Sequence, residues 1–233
     1  MSRDSKSKSL RDMRRTLADP RRGMYEPGAV RSLTAKGQPG RCQRCWILET
    51  FCICASVPVV ATRTEIVVVR HDREALKSTG TARIAALALP NLRILSFGEN
   101  SEPARTDLPA EAGLGTHLLF PTDESALWDG AAVKRLVLLD GTWRQTRRMY
   151  TKLPSLHSAP RLALPEKATR VLRLRESKFE AGRSTLEAIA EALALLEGEA
   201  VAAPLHALHA EYVERVFRAR GVWEHKKAAE EAR

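Results

Sequence analysis

The sequence predicts an α/β fold: a mostly parallel sheet with flanking helices, preceded by a small N-terminal four-cysteine module and a basic arm. Three observations predict it. From about residue 62, short apolar strand-like runs alternate with segments of helical periodicity, the pattern of a parallel sheet covered by helices. All four cysteines fall between Cys42 and Cys54. Residues 1–40 carry ten Lys and Arg against four Asp and Glu and show little periodicity.

The elements follow in order. Residues 1–40, rich in Ser, Arg, Lys and Gly, read as a flexible arm. Residues 41–58 form the cysteine module, and 59–233 the α/β domain. Residues 64–70 (TEIVVVR) are a short buried strand with polar ends. Residues 71–89 place Ala, Leu and Ile at helical intervals until Pro90 stops them. Residues 92–97 (LRILSF) are a second strand, closed by Gly98, and the polar stretch 98–115 is a loop. Residues 116–120 (THLLF) make a third strand ending at Pro121, and 134–139 (KRLVLL) a fourth that runs into Asp140-Gly141. A helix over 143–152 ends before Pro154. Two strand-like runs, RLALP and RVLRLR, occupy 161–175. An amphipathic helix over 182–196 puts Leu186, Ile189, Leu193 and Leu196 on one face, and a last helix covers roughly 205–220.

Composition narrows the class. The 233 residues, 44% of them hydrophobic, suffice for one sizeable domain and a small appendage. No apolar run approaches the roughly 20 residues of a membrane helix, and the basic N-terminus lacks the apolar stretch of a signal peptide, so a cytoplasmic protein is expected. The formal charge of +10, concentrated in the arm, favours a polyanionic partner, most often nucleic acid.

The cysteines are spaced Cys42-x2-Cys45-x6-Cys52-x-Cys54. Such crowding suits a metal rather than a disulfide framework, whose cysteines close larger loops. Four thiolates fit tetrahedral structural zinc, with Arg41 and Arg44 helping to keep them deprotonated; four thiolates also suit an iron–sulfur cluster. With every position filled by sulfur, the site is structural.

Ligands of parallel sheets bind at the carboxyl ends of strands, which directs attention to His71, Pro121 and Asp140. Asp140 stands at the tip of a buried strand before a Gly turn. Thr142 and Gln145 then fit a capping box, so a helix N-terminus able to receive an anion begins there. Arg144, Arg147 and Arg148 give that helix a basic face suited to phosphate as much as to water. Trp143, by itself, reads as a core residue. Ser184 and Glu187 form a second capping box, a seat for a carboxylate or simply a helix start. His71 and Glu74, with Thr81 beyond, make a polar group after the first strand.

Taken together, these motifs resemble the DTW-domain family. Asp140-Gly141-Thr142-Trp143 matches its Asp-x-Thr-Trp motif, and Ser184-Thr185-Leu186-Glu187-Ala188 its S-T-x-E-A helix start. The cysteine cluster is similar to the metal site of bacterial members. His71-x2-Glu74 with Lys77 and Thr81 is similar to the family's H-P-x-E…N-T segment, with Asp72 in place of Pro and Gly80 in place of Asn. The resemblance covers about residues 41–200. It implies a SPOUT-like fold with a knotted core, and transfer of the aminocarboxypropyl group of S-adenosylmethionine (SAM) to N3 of a tRNA uridine with release of 5′-methylthioadenosine. It implies Asp140 as the catalytic carboxylate. A SAM site would be formed by His71, Glu74, Thr81, Pro121, Thr142, Trp143, Ser184, Thr185 and Glu187. Cys42, Cys45, Cys52 and Cys54 would hold zinc, and Arg144, Arg147 and Arg148 would meet tRNA phosphates. No obligate protein partner is evident. Two other readings use the same residues: a SAM-dependent SPOUT-type RNA methyltransferase, and a non-catalytic zinc-containing RNA-binding protein.

Overall fold

The computed structural model describes residues 40–75, 77, 79–98, 115–120, 126–128, 130, 132–165, 172, 174 and 182–231. The basic arm, Pro121 and most of the RVLRLR run lie outside them, as do connections on which the threading of a knot would depend.

Six described strands form one sheet: β1 (Glu65–His71), β2 (Leu92–Phe97), β3 (Thr116–Leu119), β4 (Ala126–Leu127), β5 (Arg135–Asp140) and β6 (Arg161–Ala163). Their order is β2-β1-β5-β3-β6-β4, and every neighbouring pair is parallel. The helices are α1 (Asp72–Ala75), α2 (Thr81–Ala88), α3 (Trp143–Lys152), α4 (Thr185–Glu197), α5 (Glu199–Ala219) and α6 (Trp223–Glu231). Within the expected helical stretch 71–89 the structure describes two helices, one ending at Ala75 and the next beginning at Thr81. The helix expected from about 205 begins at Glu199, with Pro204 inside it. A proline there removes one amide donor in the second turn, and packing of the apolar face outweighs that loss.

Strand periodicity sorts the side chains onto two faces. Ile66 and Val68 of β1, with Leu136 and Leu138 of β5, join one core cluster that includes Ile84, Ile189, Leu193, Leu205, Leu208 and Tyr212 from α2, α4 and α5. Val67, Val69 and Val137 point the other way, onto Met149 of α3 and onto Leu153 and Leu156 beyond it. β1 is therefore buried on both sides, with Ile66 to Val69 all at 0% exposure, which is why its sequence is a continuous apolar run rather than an alternation.

The cysteine module is not a separate lobe. Cys45, Ile47 and Ile53 belong to the same core cluster as α4 and α5. Ser56 donates a hydrogen bond to Glu211 of α5 at 2.9 Å. At the C-terminal end of α4, Glu197 accepts the backbone N–H groups of Arg63 at 2.9 Å and Thr64 at 2.8 Å, tying that helix to the entry of β1.

Candidate active site

Parallel pairing sends the carboxyl ends of the described strands to one edge of the sheet. From β1 the chain crosses to β2 on one side, and from β5 it crosses to β6 on the other. The point where connections diverge between adjacent strands leaves a crevice at the strand ends, the usual seat of ligands in open α/β sheets. A cavity of about 740 Å³ opens there, lined by the end of β5, by the starts of α2, α3 and α4, and by His209 of α5.

Two capped helix starts shape its wall. Thr142 accepts the Gln145 N–H at 3.4 Å and donates its own N–H to Gln145 Oε1 at 2.6 Å, closing the first turn of α3. The turn before it is tight: a Cβ on Gly141 would stand 3.0 Å from Gln145 Cβ, so glycine is the residue that fits beside the cap. Ser184 and Glu187 close α4 in the same way, Ser184 Oγ accepting Glu187 N–H at 3.3 Å and Glu187 Oε2 accepting Ser184 N–H at 2.9 Å. Each cap consumes amide donors that would otherwise be unsatisfied at a helix start.

The two walls are joined by a hydrogen bond. Thr185 Oγ1 donates to Asp140 Oδ1 at 2.7 Å, fixing the carboxylate at the strand tip. Thr81 Oγ1 accepts the Leu186 N–H at 3.4 Å, linking the start of α2 to α4. Glu74, also at the cavity, pairs with Lys77. Trp143 is not a core residue: it is 39% exposed, lines the cavity, and tilts against Phe120 at 6.2 Å. Burial beneath α3 is taken instead by Thr146 and Met149, one turn and more along the helix.

Of the positions singled out in sequence, Asp140, Thr142, Trp143, Ser184, Thr185, Glu187, Glu74 and Thr81 line this one cavity. Arg144 lines it too, while Arg147 and Arg148 are exposed further along α3. His71 does not line it. It ends β1, its Nδ1 accepts the Arg73 N–H at 3.2 Å, and its ring tilts against Phe97. Burial holds the His71 imidazole below its ordinary range; the charges of Arg73 and Arg148 reinforce this and those of Asp72 and Glu74 oppose it. Pro121 lies outside the described residues.

The four cysteine sulfurs lie within 4.8 Å of one another. Cys42 and Cys54 are 3.6 Å apart and Cys45 and Cys52 3.8 Å. A tetrahedron of sulfurs about 2.3 Å from a central zinc has edges of about 3.8 Å, so the donor set fits a four-coordinate thiophilic metal. The turn that presents Cys42 and Cys45 needs a left-handed residue, and Trp46 takes it at φ 64°. Its ring lies under the buried guanidinium of Arg83, 3.4 Å away, and Arg83 also donates to the carbonyls of Ala75 and Lys77. Burial acts to raise Cys42, but amide hydrogen bonds from Cys45 and Arg44 and the neighbouring thiols outweigh it and bring the group down to about 7. Burial pushes Cys45 and Cys54 up, with charge on their neighbours adding to it. Cys45 and Cys54 are therefore thiolates here only beside a cation.

The sequence pattern described as the DTW domain matches residues 40–217. The chain belongs to the DTW-domain family. The motif that names the DTW domain is here Asp140-Gly141-Thr142-Trp143, the strand tip and capped helix start that wall the cavity. Two relatives are named tRNA-uridine aminocarboxypropyltransferase 2. The one from Drosophila melanogaster is 29% identical over 183 residues, 72% of this chain and 73% of the relative. The one from Macaca fascicularis is 26% identical over 192 residues, 75% of this chain and 63% of the relative. No solved structure matches the chain.

Sequence reasoning missed His209 and Phe120 as cavity residues of this DTW domain. The signal for His209 was present: it shares the buried face of α5 with Leu205, Leu208 and Tyr212, where an imidazole needs a polar partner. Phe120 was taken only as the end of a strand.

Proposed function

We propose that this protein transfers the 3-amino-3-carboxypropyl group of SAM to N3 of a tRNA uridine, releasing 5′-methylthioadenosine. The observation that carries the reading is the Thr185–Asp140 hydrogen bond, which brings the two family motifs together at one cavity. The names of the two relatives supply the reaction class.

SAM supplies the electrophile, a methylene carbon next to a sulfonium. Uridine N3 carries a proton and is a weak nucleophile until it is removed. Asp140, held by Thr185, accepts that proton as the N3–carbon bond forms and the carbon–sulfur bond breaks, and returns it to solvent. The transferred group brings an ammonium and a carboxylate of its own. Glu187 faces the first; the Ser184 hydroxyl and the backbone start of α4 at Thr185, whose own hydroxyl proton is given to Asp140, receive the second. Trp143 offers a flat apolar face at the cavity, suited to a nucleobase. Arg144, Arg147 and Arg148 contact phosphates, which sets affinity and register rather than sequence choice. Zinc at Cys42, Cys45, Cys52 and Cys54 holds the module and takes no part in the chemistry. A cytoplasmic location is part of this reading; among the described residues no helix is long and apolar enough to cross a membrane.

The test is the nucleoside released when the zinc-loaded protein is incubated with SAM and unmodified tRNA. 5′-Methylthioadenosine is expected. S-Adenosylhomocysteine would instead establish methyl transfer, and neither product, with tRNA still bound, would leave a binding protein.

A further inference from the structure

His209 is 4% exposed yet lines the cavity from α5. Its Nε2 lies 3.0 Å from Ser184 Oγ and 3.6 Å from Glu187 Oε2. A carboxylate beside Nε2 favours the form with a proton on that nitrogen, so Nε2–H donates to Ser184 Oγ. The same oxygen also accepts the Glu187 N–H at 3.3 Å. A serine hydroxyl has two lone pairs and one proton. With both lone pairs engaged, the proton of Ser184 must donate outward, and Ser184 is a cavity residue.

We propose that His209 is a positioning residue that fixes Ser184 as a hydrogen-bond donor to the carboxylate of the SAM aminocarboxypropyl end. This rests on the reading of the cavity as a SAM site and adds to it the group that selects the amino-acid end of the donor. Were His209 absent, the Ser184 hydroxyl would be free to rotate and to present a lone pair instead, which repels an anion. His209 acts only through Ser184, and the adenosine end of the donor does not depend on it.

The experiment compares equilibrium binding of SAM and of 5′-methylthioadenosine, which shares the adenosine and sulfur but lacks the amino-acid end. His209→Leu should weaken SAM about tenfold or more, the size expected for a hydrogen bond to a charged group, and leave 5′-methylthioadenosine within about twofold. His209→Gln, which keeps an N–H donor, should recover most of the loss. Ser184→Ala should show the same selective loss, and the double variant no more than either alone. The Ser184→Ala comparison stands even if His209→Leu does not fold. Equal weakening of both ligands, or additive losses in the double variant, would overturn the proposal. If wild-type protein binds neither ligand, the SAM reading itself is wrong and this inference goes with it.

Discussion

Replacing Asp140 with Asn separates chemistry from structure at this site. Asp140 ends β5, in register with Arg70 of β1, and accepts the Thr185 hydroxyl at 2.7 Å. An Asn side chain keeps an acceptor oxygen at the same place, so that hydrogen bond survives in a neutral form. A hydrogen bond to a charged group is worth about 1.5–3 kcal/mol and a neutral one about 0.5–1.5, so the substitution costs about 1–1.5 kcal/mol. For a chain of this size that lowers the melting temperature by roughly 2–6 °C. The lost proton acceptor, by contrast, should cost about 10²–10⁴ in turnover. The assay is single-turnover transfer with saturating SAM and tRNA across alkaline pH. The variant's rate should climb with pH as uridine N3 ionises without help, and approach that of the wild type. Turnover within a few-fold of wild type at neutral pH would refute the proton-accepting role. A melting shift much larger than the range above would make Asp140 a structural residue first.

Other perturbations have equally definite outcomes. In Glu197, burial acts to raise the carboxyl, but the amides of Arg63 and Thr64 outweigh it and hold the group below its ordinary range. Its folded value is thus depressed, so its stabilisation is complete above about pH 5 and lost as pH falls through the folded value. Glu197→Gln should therefore lower stability by about 1–3 kcal/mol near neutrality, with the difference from wild type vanishing in acid; denaturant melts at several pH values read it. Removing the metal with a chelator should lower the melting temperature by roughly 8–16 °C, taking a site held at about a thousandfold over its dissociation constant, because Cys45 and Ile53 belong to the main core. An unchanged melt would count against a structural metal. Arg147→Ala with Arg148→Ala should weaken tRNA binding at all sequences and reduce its salt slope by up to about two, while SAM binding stays the same.

How much of this was legible in the sequence depends on the range of the interaction. Strand β1 is a short β-branched run and β5 a short Leu-rich one, both buried by their own composition, and both capping boxes are four-residue patterns, so each was visible locally. The Asp140–Thr185 hydrogen bond spans 45 residues and depends on how β5 and α4 lie against each other, which no local pattern encodes. Trp143 read as a core residue when taken by itself, and only the family motif placed it at the site: its helical face is set by where α3 meets the sheet, and Met149, not Trp143, points inward. The strand β4, Ala126–Leu127, is too short to carry a period of two. The cysteine cluster was legible as a metal site, but its burial against α4 and α5 was not, since Ile47 and Ile53 read as part of a small module until α5 covers them. His209 was hidden among apolar neighbours on a helix whose start was obscured by Pro204.

The account's central claim is that the new bond is made at uridine N3. Nucleoside mass spectrometry of tRNA recovered after incubation with SAM and the zinc-loaded protein tests it directly, with a parallel treatment by a carbodiimide that reacts only at a free N3. The account predicts a uridine heavier by one aminocarboxypropyl group and resistant to the carbodiimide. A uridine of that mass that still reacts, a methylated base, or unmodified tRNA beside consumed SAM would contradict it.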